Sequence, residues 1–171
     1  MLIDDFSNPD GLSALATSWQ GFSDRVMGGV SDLQAGYAER DGQTVMVLRG
    51  QVRLENNGGF IQVRLPLDAR GRDFDASAFA GLQLRARAVR PGPYYVHLRS
   101  ADNRRPWSYY RAVLELGQDW STIDVPFSAF EPRSVNADLD TGRLRSLAVV
   151  AYGEAFDAHL EVSAVRLVPS P

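Results

Sequence analysis

At 171 residues, with 44% hydrophobic and 23% charged side chains, the chain has the composition of a soluble globular protein. It is long enough to bury roughly 70% of the surface that its unfolded form exposes. A formal net charge of -3 excludes a general binder of nucleic acid or anionic membranes, and the lack of cysteine excludes disulfides, thiolate metal sites and a catalytic thiol.

Met1 to Phe6 reads as a short first strand. It has neither the basic start nor the apolar run of a signal peptide, and no window approaches the ~20 apolar residues of a membrane span. The expectation is a cytoplasmic protein, one domain over residues 1–171, with no direct insertion into membrane. Ser7-Asn8-Pro9-Asp10-Gly11 is a dense turn signal, and Leu12 to Ser18 is the best place for a helical turn.

Trp19 to Ser31 organises the rest. It opens on Trp19 and Phe22, passes through Ser23-Asp24-Arg25 and closes on Gly28-Gly29, a composition suited to neither a regular helix nor a central strand. The stretch is predicted as an ordered loop pinned to a sheet. Adjacent Asp24 and Arg25 side chains diverge towards separate partners, and the glycines supply positive φ or close backbone approach.

Leu33 to Glu39 and Thr44 to Leu54 read as strands of a hairpin closed at Asp41-Gly42, with a bulge or bend at Gly50. Asn56-Asn57-Gly58-Gly59 is a second special turn, because Asn and Gly enter left-handed backbone conformations most readily. Four strands then alternate with a period of two. Their inward sets are Ile61/Val63/Leu65, Leu82/Leu84/Ala86/Ala88, Tyr94/Val96/Leu98 and Tyr110/Ala112/Leu114/Leu116. Ser121 to Pro126 is a strand at an edge or terminus, Glu131 to Gly142 a loop, and Leu144 to Tyr152 a fully buried central strand. Leu160 and Val162 change parity to Val165 and Leu167, which predicts a bulge.

About ten short strands without a long 3.6-residue period indicate an all-β sandwich or barrel, so chemistry belongs on loops or on a sheet face. The outward positions of the alternating strands are Phe60, Gln62, Arg64, Arg85, Arg87, Tyr95, His97, Arg99, Tyr109 and Arg111. If these strands are neighbours, aromatic and guanidinium groups share one surface suited to sugars, carboxylates or a protein's polar rim. The competing reading is a solvated face on which arginine stems cover the aromatics.

Motifs for catalysis are sparse. The two histidines, His97 and His159, lie in no recognisable serine-hydrolase motif, and Gly28-Gly29 has neither P-loop nor dinucleotide spacing. No cofactor is expected. Loop carboxylates at Asp4, Asp5, Asn8 and Asp10, or at Asp138 and Asp140, suit a hard cation but form no complete ligand loop, so turns satisfying their own backbone are the better reading and no metal is assigned. Trp19 and Trp120 read as core or rim anchors and Trp107, at a loop-to-strand junction, as a contact residue.

Taken together, Trp19-x-x-Phe22-Ser23-Asp24-Arg25-Val26-Met27-Gly28-Gly29-Val30-Ser31, Asn57-Gly58-Gly59-Phe60 with Arg64, Trp107-x-Tyr109-Tyr110-Arg111, and Trp120 with Val125-Pro126-Phe127-x-x-Phe130 resemble the complex I intermediate-associated protein 30 family. The resemblance runs from about Leu2 to Leu167. It implies an all-β, galactose-binding-domain-like jelly-roll β-sandwich. It also implies an assembly role, since eukaryotic members help build the membrane arm of mitochondrial complex I without being working subunits. The family motif falls on Ser23, Asp24, Arg25, Met27, Gly28, Gly29 and Ser31, and on Asn57, Gly58, Gly59 and Phe60.

The leading expectation is a non-catalytic domain that binds a protein client, such as a membrane-complex subunit. The contact surface is the Ser23–Ser31 loop, the Asn57–Phe60 turn and a face carrying Arg64, Tyr95, His97, Trp107, Tyr109 and Arg111. The alternative is a carbohydrate-binding module using the same loop and face to hold a glycan. A third reading is an enzyme with Asp24 as acid or base and Arg25 as its electrostatic partner.

Overall fold

A computed structural model describes residues 1–171. Twelve strands account for the architecture: β1 (Leu2–Asp4), β2 (Gln20–Ser23), β3 (Gln34–Arg40), β4 (Gln43–Val52), β5 (Phe60–Pro66), β6 (Phe79–Arg90), β7 (Tyr94–Ser100), β8 (Tyr109–Val113), β9 (Ser121–Pro126), β10 (Glu131–Arg133), β11 (Leu144–Tyr152) and β12 (Phe156–Pro169). Sheet I has the order β3-β4-β12-β6-β9, with β1 also paired to β12, and sheet II the order β10-β8-β7-β11-β5-β2. Neighbours distant in sequence and antiparallel throughout make this the jelly-roll, galactose-binding-like β-sandwich that the resemblance implies. No helix is long and apolar enough to cross a membrane.

The alternating strands send their predicted inward sets into one buried apolar cluster. Ile61, Val63 and Leu65 of β5 meet Leu82, Leu84 and Ala86 of β6, Val96 and Leu98 of β7, and Leu160 and Val162 of β12 there. β11 lies between β7 and β5, so both its edges are paired, its inward residues pack in the core, and its short outward residues are screened by longer side chains of the flanking strands, which suits its almost unbroken apolar sequence. The parity change in β12 coincides with a register shift between Val162 and Ala164 against β6, the expected bulge. The β3–β4 hairpin turns through Asp41 and Gly42, both at positive φ.

Four local expectations need correction. Leu12 to Ser18 is a non-helical turn, because Ser13 and Thr17 bond each other through their hydroxyls at 2.8 Å, and Ser13 N–H donates to the Thr17 carbonyl at 2.8 Å. These local bonds replace helical ones. The organising stretch is not all loop, since Gln20–Ser23 is an edge strand paired with β5 and Asp24–Met27 forms a 3-10 turn. Within the predicted Glu131–Gly142 loop, Glu131–Arg133 pairs with β8 as the opposite edge. Gly50 sits in an unbroken register with β12, and its role is close approach: a Cβ there would overlap the Asp32 carbonyl.

The outward residues do not share one surface. Arg85 and Arg87 belong to β6 in sheet I, whereas Phe60, Gln62, Arg64, Tyr95, His97, Arg99, Tyr109 and Arg111 belong to sheet II. Trp120 lies with the sheet I group, 4.9 and 4.8 Å from the Arg85 and Arg87 guanidinium carbons. Trp19 packs on the core and donates its indole N–H to Asp4 at 2.9 Å. Asp4, Asp5 and Asn8 each accept a backbone N–H from two residues onward, the turn chemistry weighed against a cation site.

Candidate functional site

The outer face of sheet II carries a groove of about 660 Å³. Its floor follows from side-chain size. Central β11 presents Ser146, Ala148 and Val150 outward, all short, while β5 and β7 on either side present Gln62 and Arg64, and His97 and Arg99. Short residues between long ones leave a furrow along the strand. Ala148 pairs with Arg64 on one side and His97 on the other, so these two side chains flank the narrowest floor residue.

One wall is the loop after β7. The Arg99 guanidinium donates to the carbonyls of Pro106 at 2.9 Å, Asn103 at 3.1 Å and Arg105 at 3.1 Å. Asn103 adds an acceptor for Ser100 N–H at 2.8 Å and a donor to the Ser108 hydroxyl at 2.7 Å. The loop thus held presents Trp107, 56% exposed, at the groove's rim.

The opposite wall hangs on Asp24. This carboxylate has no exposed surface and accepts from Ser31 N–H at 2.9 Å, the Ser31 hydroxyl at 2.5 Å, Gly59 N–H at 2.6 Å and Phe60 N–H at 3.3 Å. Burial pushes its pKa up, but the Ser31 hydroxyl and the three amides outweigh burial and hold it below the usual carboxylate range. Gly29 and Gly58 are required here, since a Cβ on either would overlap the Asp24 carboxylate. Arg25 turns away, donating to the Ser31 carbonyl at 2.9 Å, the Val30 carbonyl at 3.2 Å and Asp32 at 2.8 Å. The two adjacent charges therefore diverge, meeting a common residue only at Ser31, and Asp24 ties the loop to the 55–60 turn, leaving Val26, Met27, Asn57 and Gly58 to face the groove.

Aromatic rings and cations share the interior. His97, only 7% exposed, stacks on Tyr109 with ring centres 4.0 Å apart and planes 11° from parallel. Burial, reinforced by the Arg111 and Arg64 charges, pushes the imidazole pKa down to about 3, so the ring is neutral at physiological pH. Its Nε2 is buried without a hydrogen-bond partner. Burial, helped by the neighbouring Tyr152 phenol, pushes Tyr109 up to about 12. The Arg111 guanidinium sits 4.5 Å from the Tyr95 ring centre and 5.8 Å from that of Tyr152, and Arg64 lies 4.9 Å from the Phe22 ring.

Of the sequence-predicted residues, the groove gathers Met27, Asn57, Gly58, Phe60, Arg64, His97, Trp107 and Tyr109. Tyr95 and Arg111 stand beside it. Ser23, Asp24, Gly29, Ser31 and Gly59 are buried behind the wall, while Arg25 and Gly28 are on its exposed side. Asp24 is buried with its oxygens occupied by the loop's own donors, and Arg25 lies outside the groove, so the two do not share the pocket that the enzyme reading gives them. Phe22, Val26, Arg133 and Tyr152 also line the groove but were absent from the candidate set. Tyr152 was detectable, sharing parity with Ala148 and Val150; Arg133, in a Pro-rich segment, carried no signal.

Three solved structures of modules from Clostridium thermocellum are similar to this one. The family 11 carbohydrate-binding module of the cellulosomal cellulase Lic26A-Cel5E superposes with a TM-score of 0.76 at 16% identity, covering 99% of this chain and 94% of that one. The family 11 module in complex with a β-1,3-1,4-mixed-linked tetrasaccharide gives 0.73 at 16% identity, covering 99% and 95%. The family 30 module of the cellulosomal cellulase Cel9D-Cel44B gives 0.65 at 15% identity, covering 89% and 91%. At such identities the likeness concerns the fold alone. No curated protein matches the sequence. The model of the complex I intermediate-associated protein 30 family matches residues 5–155, most of the 171-residue chain, and the protein belongs to that family.

Proposed function

We propose that this protein is a non-catalytic binding domain whose sheet II groove holds an oligosaccharide. The observation that carries the reading is the furrow itself: an open channel of about 660 Å³, within the usual range of ligand sites, lined by Phe22, Phe60, Trp107, Tyr109 and Tyr152. Flat apolar rings suit the C–H faces of sugars, while Gln62, Asn57 and the arginines offer polar atoms to hydroxyls. A module of like fold solved with a tetrasaccharide supports the capacity of such a sandwich to hold a sugar chain. No Asp or Glu lines the groove, so the paired carboxylates of glycoside hydrolysis have no source within it.

Family membership favours a second reading, in which the same face grips a protein client during assembly of a membrane complex. The two separate on a glycan array probed with wild type, Trp107→Ala and Tyr109→Ala, alongside affinity purification of the tagged protein from its host. The carbohydrate reading expects array signal from wild type and a weakened signal from both variants. An empty array together with co-purified membrane-complex subunits overturns it in favour of the client.

A further inference from the structure

Eight of the fifteen arginines that do not line the groove form ion pairs. Arg25 pairs with Asp32 at 2.8 Å, Arg40 and Arg87 share Glu161 at 2.7 and 2.6 Å, and Arg143 and Arg145 pair with aspartates at 2.6 to 3.1 Å. In the groove no arginine has a carboxylate closer than 3.7 Å. Arg64 is half-buried over Phe22 with no ion pair, and its pKa is lowered by burial alone. Arg99 spends its donors on backbone carbonyls, which leave its positive charge intact. Arg133 reaches its only carboxylate, exposed Glu131, at 3.7 Å, and its Nε is buried without a partner.

Guanidinium groups in a channel with no lining carboxylate mark a place for negative charge that arrives from outside. The chain as a whole carries -3, so a local excess of cations is not the residue of a basic protein.

We infer that the groove selects anionic oligosaccharides, whose carboxylate or sulfate groups bind Arg64 and Arg133 through paired N–H donors while the sugar rings lie along Trp107 and Tyr109. The inference rests on the carbohydrate reading and names its ligand class. Charge also sets its salt dependence: pairs at a half-open groove weaken as added salt screens them, with a Debye length of ~10 Å at 0.1 M.

The test is isothermal titration of the full chain with three oligosaccharides of matched length: a uronate oligomer, a sulfated galactan oligomer and a neutral mixed-linked glucan. At least one charged oligomer should bind tenfold or more tightly than the neutral one, and which of them does so identifies carboxylate or sulfate as the source. Binding should weaken with added salt. Arg64→Gln should lose at least tenfold in affinity for that oligomer, Arg64→Lys less, and Arg49→Gln, at an exposed arginine of sheet I, nothing. Should Arg64→Gln not fold by circular dichroism, Arg133→Gln at the exposed edge strand β10 carries the same expectation. Neutral glucan binding as tightly as the charged oligomers overturns anionic selection and leaves the carbohydrate reading standing, whereas silence from all three overturns both.

Discussion

Arginine, histidine and aromatic side chains occupy the outer faces of both sheets, yet the two faces are wired in opposite ways. On sheet I, Glu161 is completely buried beneath Arg40, Arg87 and His159, accepting from them at 2.6 to 3.2 Å, and Arg85 and Arg87 close over Trp120. On sheet II, Arg64 and Arg111 lie on aromatic rings with no carboxylate beneath them, and an open furrow separates the strands. Desolvating a cation is costly unless a counter-charge or ring offsets it. A face that neutralises its charges internally therefore reads as structure, while one that leaves them with only π-contacts reads as a site.

Removing the group that closes each region separates the two faces experimentally. Asp24→Ala should have the largest effect, about 4 kcal/mol, because it leaves buried amides of Ser31, Gly59 and Phe60 unpaired at ~1–3 kcal/mol each. Urea denaturation measures this, and Asp24→Asn, which retains an acceptor, should cost about half as much. If Asp24→Ala proves neutral, the loop is not hung on this carboxylate.

Glu161→Gln should destabilise by about 3 kcal/mol, the low end for breaking a buried pair, because the Arg40 and Arg87 side chains remain part-exposed. Its effect on ligand binding in the groove should be nil at temperatures where the variant is folded. Loss of binding without unfolding would show that the two faces are coupled.

Acid should strike the two faces at different pH. His97 has its folded pKa depressed to about 3 from 6.5, so between those values the unfolded chain binds a proton that the folded one refuses. Stability from this ring is complete above 6.5 and is lost as pH falls through that window. On sheet I, burial raises the Glu161 pKa, but the hydrogen bonds from Arg40, Arg87 and His159 outweigh it and hold the group below 4.5. Its contribution is lost only as pH falls below that value. Thermal melts from pH 7 to 4 should therefore fall in wild type, and His97→Phe, which keeps a ring against Tyr109, should flatten the slope between 6.5 and 5.

The smallest effect belongs to the rim. Trp107→Ala should leave the melting temperature nearly unchanged, because the indole is mostly exposed, but should cost about 1 kcal/mol in ligand affinity, the scale of one aromatic contact.

The fold was legible because period-two patterning survives in a sandwich: Leu82 to Ala88 and Ile61 to Leu65 reach the core as their alternation requires. The bulge in β12 was equally readable from a change in parity. The site was legible in part. Arg64, His97, Trp107 and Tyr109 carry chemistry on strands or junctions, and alternation gives their side. What alternation cannot give is which sheet a strand joins, so Arg85 and Arg87 were grouped with a face on the far side of the sandwich. Edge strands escaped notice because two or three pairing bonds leave little compositional trace, as at Gln20–Ser23 and Glu131–Arg133. The Ser-Asp-Arg motif was conspicuous for a structural reason, since a buried carboxylate with four donors needs glycines around it.

If the proposed groove is the binding site, the oligosaccharide perturbs sheet II and not sheet I. An NMR titration of isotope-labelled protein with the tightest-binding oligosaccharide tests it directly. Shifts are expected at the Trp107 indole N–H and in the amides of Phe60–Pro66, Tyr94–Ser100 and Leu144–Tyr152, with Trp120 unmoved. Shifts centred on Trp120 and the strands Phe79–Arg90 and Phe156–Pro169 would contradict it.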